Sequence, residues 1–236
     1  DLGRAAADLW GFAAHRPADG PQVRLSRLDR PGAGLQALQV VQDDRPFLVD
    51  SVMGEVTEAG YAVRAMFHPV LDLPRDGAGR RKTGAATQRE SMILVLIEPV
   101  GAALGEALVQ GVRSALAEVK LAVDDFEAMR GLMISTRREL EQAAPAGRRE
   151  EVEEDLAFLQ WLSDDRFVFL GARVYEYPRS QDGDYAREEP RFDPSTCLGV
   201  LRDPSRSVLR RDSEPAILSP ASRRYLGDAP LVVAKS

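Results

Sequence analysis

The chain has 236 residues, 44% of them hydrophobic and 29% charged, with a formal net charge of −6. That length buries a sizeable core as one large or two small domains. The acidic balance argues against a general nucleic-acid binder, which needs a basic face to neutralise phosphates.

Cys197 is the single cysteine, so no intrachain disulfide forms and a reducing cytoplasm is the expected location. With only His15 and His68 beside it, Cys197 does not supply a four-ligand zinc site. No apolar run approaches the roughly 20 residues of a membrane span. The N-terminus also lacks the basic region and apolar core of a signal peptide, so no membrane partner is expected. The chain starts at Asp1 and stops at Ser236 just after a strand-like Leu231-Val232-Val233, and it is expected to be a fragment of something longer.

In chain order, Leu2, Ala6, Leu9, Trp10 and Ala13 have weak helical spacing, and residues 1–19 read as the helical tail of a preceding element. Residues 23–28 alternate apolar and polar and predict a strand, 29–34 a turn, and 35–42 a more buried strand. Asp43 and Asp44 precede Pro46, which is favoured in a helix's first turn because its missing N–H has no partner there. Leu48, Val52, Val56 and Ala59 follow at helical spacing, and Gly60 stands where a C-cap stops the helix.

Residues 61–73 and 90–98 predict two strands of a hairpin, joined by a long, mobile loop at 74–84. After Pro99 apolar residues recur every three or four positions from Leu104 to Met133. Gly105, Gly111 and Gly131 interrupt them, which fits one bent helix or two consecutive ones. Residues 143–147 predict a linker, 150–163 an amphipathic helix, and 167–177, 198–201, 207–210 and 231–233 strands. Apolar strands in pairs with helices between the pairs indicate an α+β fold with an antiparallel sheet. The expected organisation is a tail at 1–19, a first module at 20–142, and a helix plus second β-rich module, truncated, at 148–236.

The turn Asp44-Arg45-Pro46-Phe47-Leu48 resembles the Asp-Arg-Pro-Gly-Leu turn of ACT domains, which bind amino acids where the first strand meets the first helix. Unpaired N–H groups at a helix start suit a carboxylate, and Asp44 offers an acceptor for an ammonium group. Phe47 stands where ACT domains often have Gly. The alternative is that Asp44 caps the helix and Pro46 starts it, with no ligand at all.

A wider resemblance is to the N-terminal regulatory region of the large bacterial NAD-dependent glutamate dehydrogenases. Asp44 to Val52 looks like that family's Asp-Asp-x-Pro-Phe-Leu-Val-Asp-Ser segment, His68-Pro69-Val70 like its His-Pro, and Arg75-Asp76-x-x-Gly79 like its Arg-Asp-x-x-Gly loop. Glu90-Ser91, the stretch from Phe158 through Trp161 and Asp164-Asp165 to Gly171, and Leu198-Gly199-Val200-Leu201-Arg202 extend it over about residues 35 to 202. The resemblance implies an ACT-like (ferredoxin-like) antiparallel sheet with helices on one face. An ACT domain returns from its second helix into a fourth strand. Here residues after Leu116 stay helical, and the strand at 23–28 is expected to take that sheet position.

It further implies a parent enzyme that deaminates glutamate to 2-oxoglutarate with NAD, whose catalytic groups lie outside this chain. No catalytic, metal or cofactor residue is expected here. Partners are a second copy, the catalytic domain and an amino-acid effector, with Asp44, Arg45, Pro46, Phe47, Asp50, Ser51 and His68 as candidate effector residues. The rivals are an assembly module that binds no small molecule and a stand-alone amino-acid sensor. His68, alone in an apolar strand before Pro69, reads as structural rather than catalytic, and Ser51 has no assignable base. The Rossmann Gly-x-Gly-x-x-Gly and the Walker sequence are absent.

Overall fold

The computed structural model describes residues 2–17, 20–28, 34–85, 89–143, 149–164, 167–175 and 191–206. They fall into two units, Asp1–Lys120 and Leu121–Ser236. The first contains α1 (Leu2–Phe12), β1 (Gln22–Leu28), β2 (Leu35–Asp43), α2 (Leu48–Glu58), β3 (Val63–Phe67), β4 (Val70–Asp72), β5 (Arg89–Ile97) and the start of α3 (Ala102–Asp124).

β2 and β5, buried along nearly their whole length, form the antiparallel centre of the sheet, from Gln36 opposite Ile97 to Asp43 opposite Glu90. β1 pairs with the outer side of β2, and β3 and β4 pair with the outer side of β5. β1 thus holds the position of an ACT domain's fourth strand, as the sequence leads one to expect.

Successive side chains of a strand point to opposite faces, so a run that is apolar at every position needs cover on both. Leu38, Val40, Ile93, Val95 and Ile97 pack with Val52 and Val56 of α2 and Leu108, Val112 and Leu116 of α3. Ala37, Val41, Met92, Leu94 and Leu96 pack with Ala5 and Leu9 of α1 and with Ala13. Helices on one face is therefore accurate for α2 and α3 alone. α1, expected as a tail, covers the other face. Burying each such Val, Leu or Ile side chain contributes about 1.5–3 kcal/mol.

The end of α2 follows the sequence. Gly60 takes φ 74°, its N–H donates to Thr57, and the Tyr61 N–H reaches back to Val56, the paired bonds of a Schellman cap. Its start does not. Pro46 and Phe47 form a turn, and the N-cap is Phe47 in the left-handed region at φ 66°, with no side-chain cap. The expectation that Asp44 caps the helix is corrected, because its carboxylate is engaged across the sheet instead.

The strand expected at 61–73 is two strands interrupted at His68-Pro69, where the Pro69 carbonyl accepts from the Met92 N–H. The loop at 74–84 is pinned rather than free. Asp76 N–H donates to the Arg80 carbonyl, and Lys82 N–H to that of Pro74. The Arg16 N–H donates to the Gly79 carbonyl and the Arg81 N–H to that of Ala14, which ties the loop to the segment after α1.

In the second unit α4 (Phe126–Ala143) and α5 (Arg149–Ser163) share a core of Leu140, Val152 and Leu159, with Met133, Leu156 and Leu162 against it. The long helical pattern is two consecutive helices, broken at Asp125 and not at a glycine. The buried Asp125 carboxylate accepts from the Gly199 N–H at 2.7 Å and from Arg202 Nε and Nη2 at 2.5 and 2.6 Å.

β6 (Gly171–Ala172) pairs with β7 (Leu198–Gly199), so the described parts of the strands expected at 167–177 and 198–201 pair over two residues only. Gly199, at φ 59°, turns the chain there; a Cβ would lie 2.1 Å from the Leu170 carbonyl oxygen. Beyond Ala143, the expected linker lies outside the described residues, as do the strands expected at 207–210 and 231–233. Among the described residues no helix is long and apolar enough to cross a membrane.

Candidate effector site

β2 ends at Asp43, and the turn into α2 begins with Asp44, whose N–H donates to the Arg89 carbonyl at the start of β5. That bond holds the Asp44 side chain beside Ser91, which donates its hydroxyl to Asp44 Oδ1 at 2.6 Å. Ser91 Oγ also lies 3.0 Å from His68 Nε2. A hydroxyl that gives its one proton to a carboxylate has only lone pairs left for the imidazole, so His68 carries its proton on Nε2.

The order is carboxylate, hydroxyl, imidazole. A hydrolytic triad places the imidazole in the middle, where it takes the hydroxyl proton as a base. Here Ser91, fully buried, is a bridge and not a nucleophile.

The other expected residues divide around this chain of bonds. Arg45 is half-buried, Pro46 exposed, and Phe47 45% exposed with its carbonyl accepting from the Ser51 N–H. Asp50 is exposed in the first turn of α2, where a negative charge suits the helix dipole. Ser51 is half-buried within α2. The structure therefore joins Asp44 to His68 and leaves Asp50 and Ser51 on the helix.

Two residues escaped the sequence reading as site residues. Ser91 is one; its signals were a hydroxyl heading an apolar run and its place in the Glu90-Ser91 pair. Gln42, opposite Ser91 in the β2–β5 register, is the other. It is buried, and its Nε2 donates to no described residue.

Glu90 points to the opposite face. Its carboxylate receives Arg75 and lies 3.3 Å from Arg16 Nη2, which also donates to Asp43 at 2.6 Å. Arg75 Nη1 and Nη2 donate further to the carbonyls of Gly79 and Ala13. The charges balance, two guanidiniums against two carboxylates, and the cluster fastens the 74–84 loop to the sheet. Within that loop Asp76 accepts from the N–H and Nε of Arg80, which hold its carboxyl below the ordinary aspartate range.

The antiparallel sheet with its helices is consistent with an ACT-like module, and a family model described as "Glutamate dehydrogenase, ACT1 domain" matches residues 1–112. Residues 1–112 belong to that ACT1 domain family. The match takes in α1, consistent with its packing on the sheet.

The chain is also similar to the NAD-specific glutamate dehydrogenase of Halomonas elongata, 34% identical over 77% of this chain and 12% of the relative. The enzyme of the same name from Pseudomonas aeruginosa is 30% identical over 86% of this chain and 13% of its own length. That of Mycobacterium tuberculosis is 29% identical over 91% and 13%. The chain therefore spans about an eighth of the length of the relatives it matches. In the ACT1 domain the Arg-Asp-x-x-Gly motif is the clasp around Glu90, and Glu-Ser supplies one residue to each face of the sheet.

Among the described residues the antiparallel sheet contains no parallel strand–glycine turn–helix crossover of the Rossmann kind.

Proposed function

We propose that this chain is the non-catalytic regulatory and assembly region of a cytoplasmic NAD-dependent glutamate dehydrogenase, and that its Asp44 turn senses an amino acid. The parent would oxidise glutamate to 2-oxoglutarate and ammonia, with NAD and the catalytic groups held by other parts of the protein. A second copy and the catalytic domain are the partners.

One observation carries the reading: Ser91 and His68 orient the Asp44 carboxylate at the turn that ACT domains use for amino acids. An α-ammonium group would meet the Asp44 carboxylate. The exposed Phe47 and the β3–β4 edge of the sheet offer a surface for a second copy.

The test is thermal unfolding of the chain against the amino acids, with NAD and ATP as controls. A ligand at a hundred times its Kd adds about 2.7 kcal/mol. A shift with one amino acid that Asp44→Ala removes supports sensing. No shift with any amino acid, together with concentration-dependent dimerisation, leaves assembly as the function.

A further inference from the structure

A groove of about 380 Å³ lies between the edge strand β1 and the first turns of α3. None of its walls comes from the Asp44 turn, and the inference drawn from it does not depend on sensing there. Val23 and Leu25 of β1, with Val100 and Val109, give it an apolar floor. Gly105 shapes one side: a Cβ there would come 2.9 Å from Leu25 Cδ2, so glycine lets the leucine lie against the helix.

Two guanidiniums stand at the rim. Arg113 is aimed by a 2.9 Å bond to the Val23 carbonyl. Arg27 follows Val23 and Leu25 at every second position and so shares their face. It is exposed, with no ion-pair partner among the described residues.

A concave apolar floor with an exposed guanidinium at its rim fits a ligand with a hydrocarbon body and a single anionic head. The one carboxylate among the lining residues, Glu106, disfavours a second anionic group on the ligand. We propose that this groove binds a small apolar monocarboxylate, its head on Arg27 and its hydrocarbon on Leu25, Val23 and Val109.

Titration calorimetry of the full chain with isovalerate, leucine and inorganic phosphate tests it. Isovalerate and leucine share a branched skeleton and differ in the ammonium group, which Glu106 is placed to accept. Saturable binding of either is expected, weakened about tenfold or more by Arg27→Glu, lost in Gly105→Leu, and retained in Asp44→Ala. Tighter leucine binding names an amino acid as the source, and tighter isovalerate binding a simple carboxylic acid. No saturable binding, an equal response to phosphate, or indifference to Arg27→Glu overturns the proposal. Loss in Asp44→Ala alone assigns the ligand to the Asp44 turn and also overturns it.

Discussion

Arg75 grips both oxygens of the Glu90 carboxylate, with Nε 2.5 Å from Oε1 and Nη2 2.7 Å from Oε2. Glu90 is 2% exposed, so its charge is tolerated only because Arg75 and Arg16 surround it. Glu90→Gln keeps the shape but leaves two desolvated guanidiniums facing a neutral amide. Removing one partner of a buried pair costs about 3–5 kcal/mol, and urea unfolding should show a loss of that size. Arg75→Lys should cost nearly as much, because an ammonium cannot hold both oxygens and the carbonyls of Ala13 and Gly79 together.

Phe47 occupies a left-handed conformation that costs a non-glycine residue about 1–2 kcal/mol. Glycine relieves that strain but loses more chain entropy on folding. Phe47→Gly should therefore stabilise the chain by about 1 kcal/mol at most. Phe47→Ala keeps the strain and should leave stability within about 0.5 kcal/mol. If the exposed ring contributes to a subunit contact, both variants weaken self-association in sedimentation equilibrium. Unchanged association in both removes Phe47 from the interface.

The central strands were readable because β5 is apolar from Met92 to Ile97 and β2 carries Leu38, Val40 and Val41, and Gly60 because a helix stop demands its φ. The role of α1 was not. Amphipathic spacing shows that a helix has a buried face but not what buries it. The break at Asp125 was hidden for a similar reason. Three glycines advertised a weak helix, yet what fixes the break is a carboxylate bound to Arg202, 77 residues away. In the Asp44 turn the composition was legible and the partner was not. Which residue faces Asp44 depends on the β2–β5 register, and the Glu90-Ser91 pair marks Ser91 without saying what it faces.

Gly79, at φ 78°, places its α-carbon where a Cβ would lie 2.0 Å from the Arg16 carbonyl oxygen. That atom is backbone and cannot swing aside. Gly79→Ala should cost about 2 kcal/mol or more and release the 74–84 loop. Faster amide exchange at Arg16 and Arg81, whose N–H groups bridge the loop and the segment after α1, would report it. Unchanged exchange at both would show that the loop is held by other means.

Acid should loosen the same loop. The Asp76 carboxyl is depressed by the Arg80 N–H and guanidinium. A group with a lowered folded value contributes stability above its unfolded value, and that contribution fades as pH falls through the folded one. The window thus opens below about 3.9, the ordinary aspartate value. NMR titration of the Asp76 carboxyl should show a midpoint below that value in the wild type. Asp76→Asn should abolish the acid-dependent rise in exchange at Ala78 and Arg80, whose N–H groups Asp76 accepts.

Ser91→Ala removes the bridge between Asp44 and His68 without touching either. Among the described residues the half-buried Asp44 carboxylate keeps the more distant Arg89, 4.0 Å away, and the His68 Nε2 proton loses its acceptor. Leaving such groups unpaired costs about 1–3 kcal/mol. The tautomer gives a sharper readout than stability does. With Ser91 present, the nitrogen NMR shifts of neutral His68 should show the proton fixed on Nε2. In Ser91→Ala nothing at that end of the ring enforces the choice, so the two tautomers should mix. A wild-type His68 protonated on Nδ1 would mean that Ser91 donates to the imidazole instead, and Asp44 would then be held by Arg89, through its backbone bond and the guanidinium 4.0 Å away.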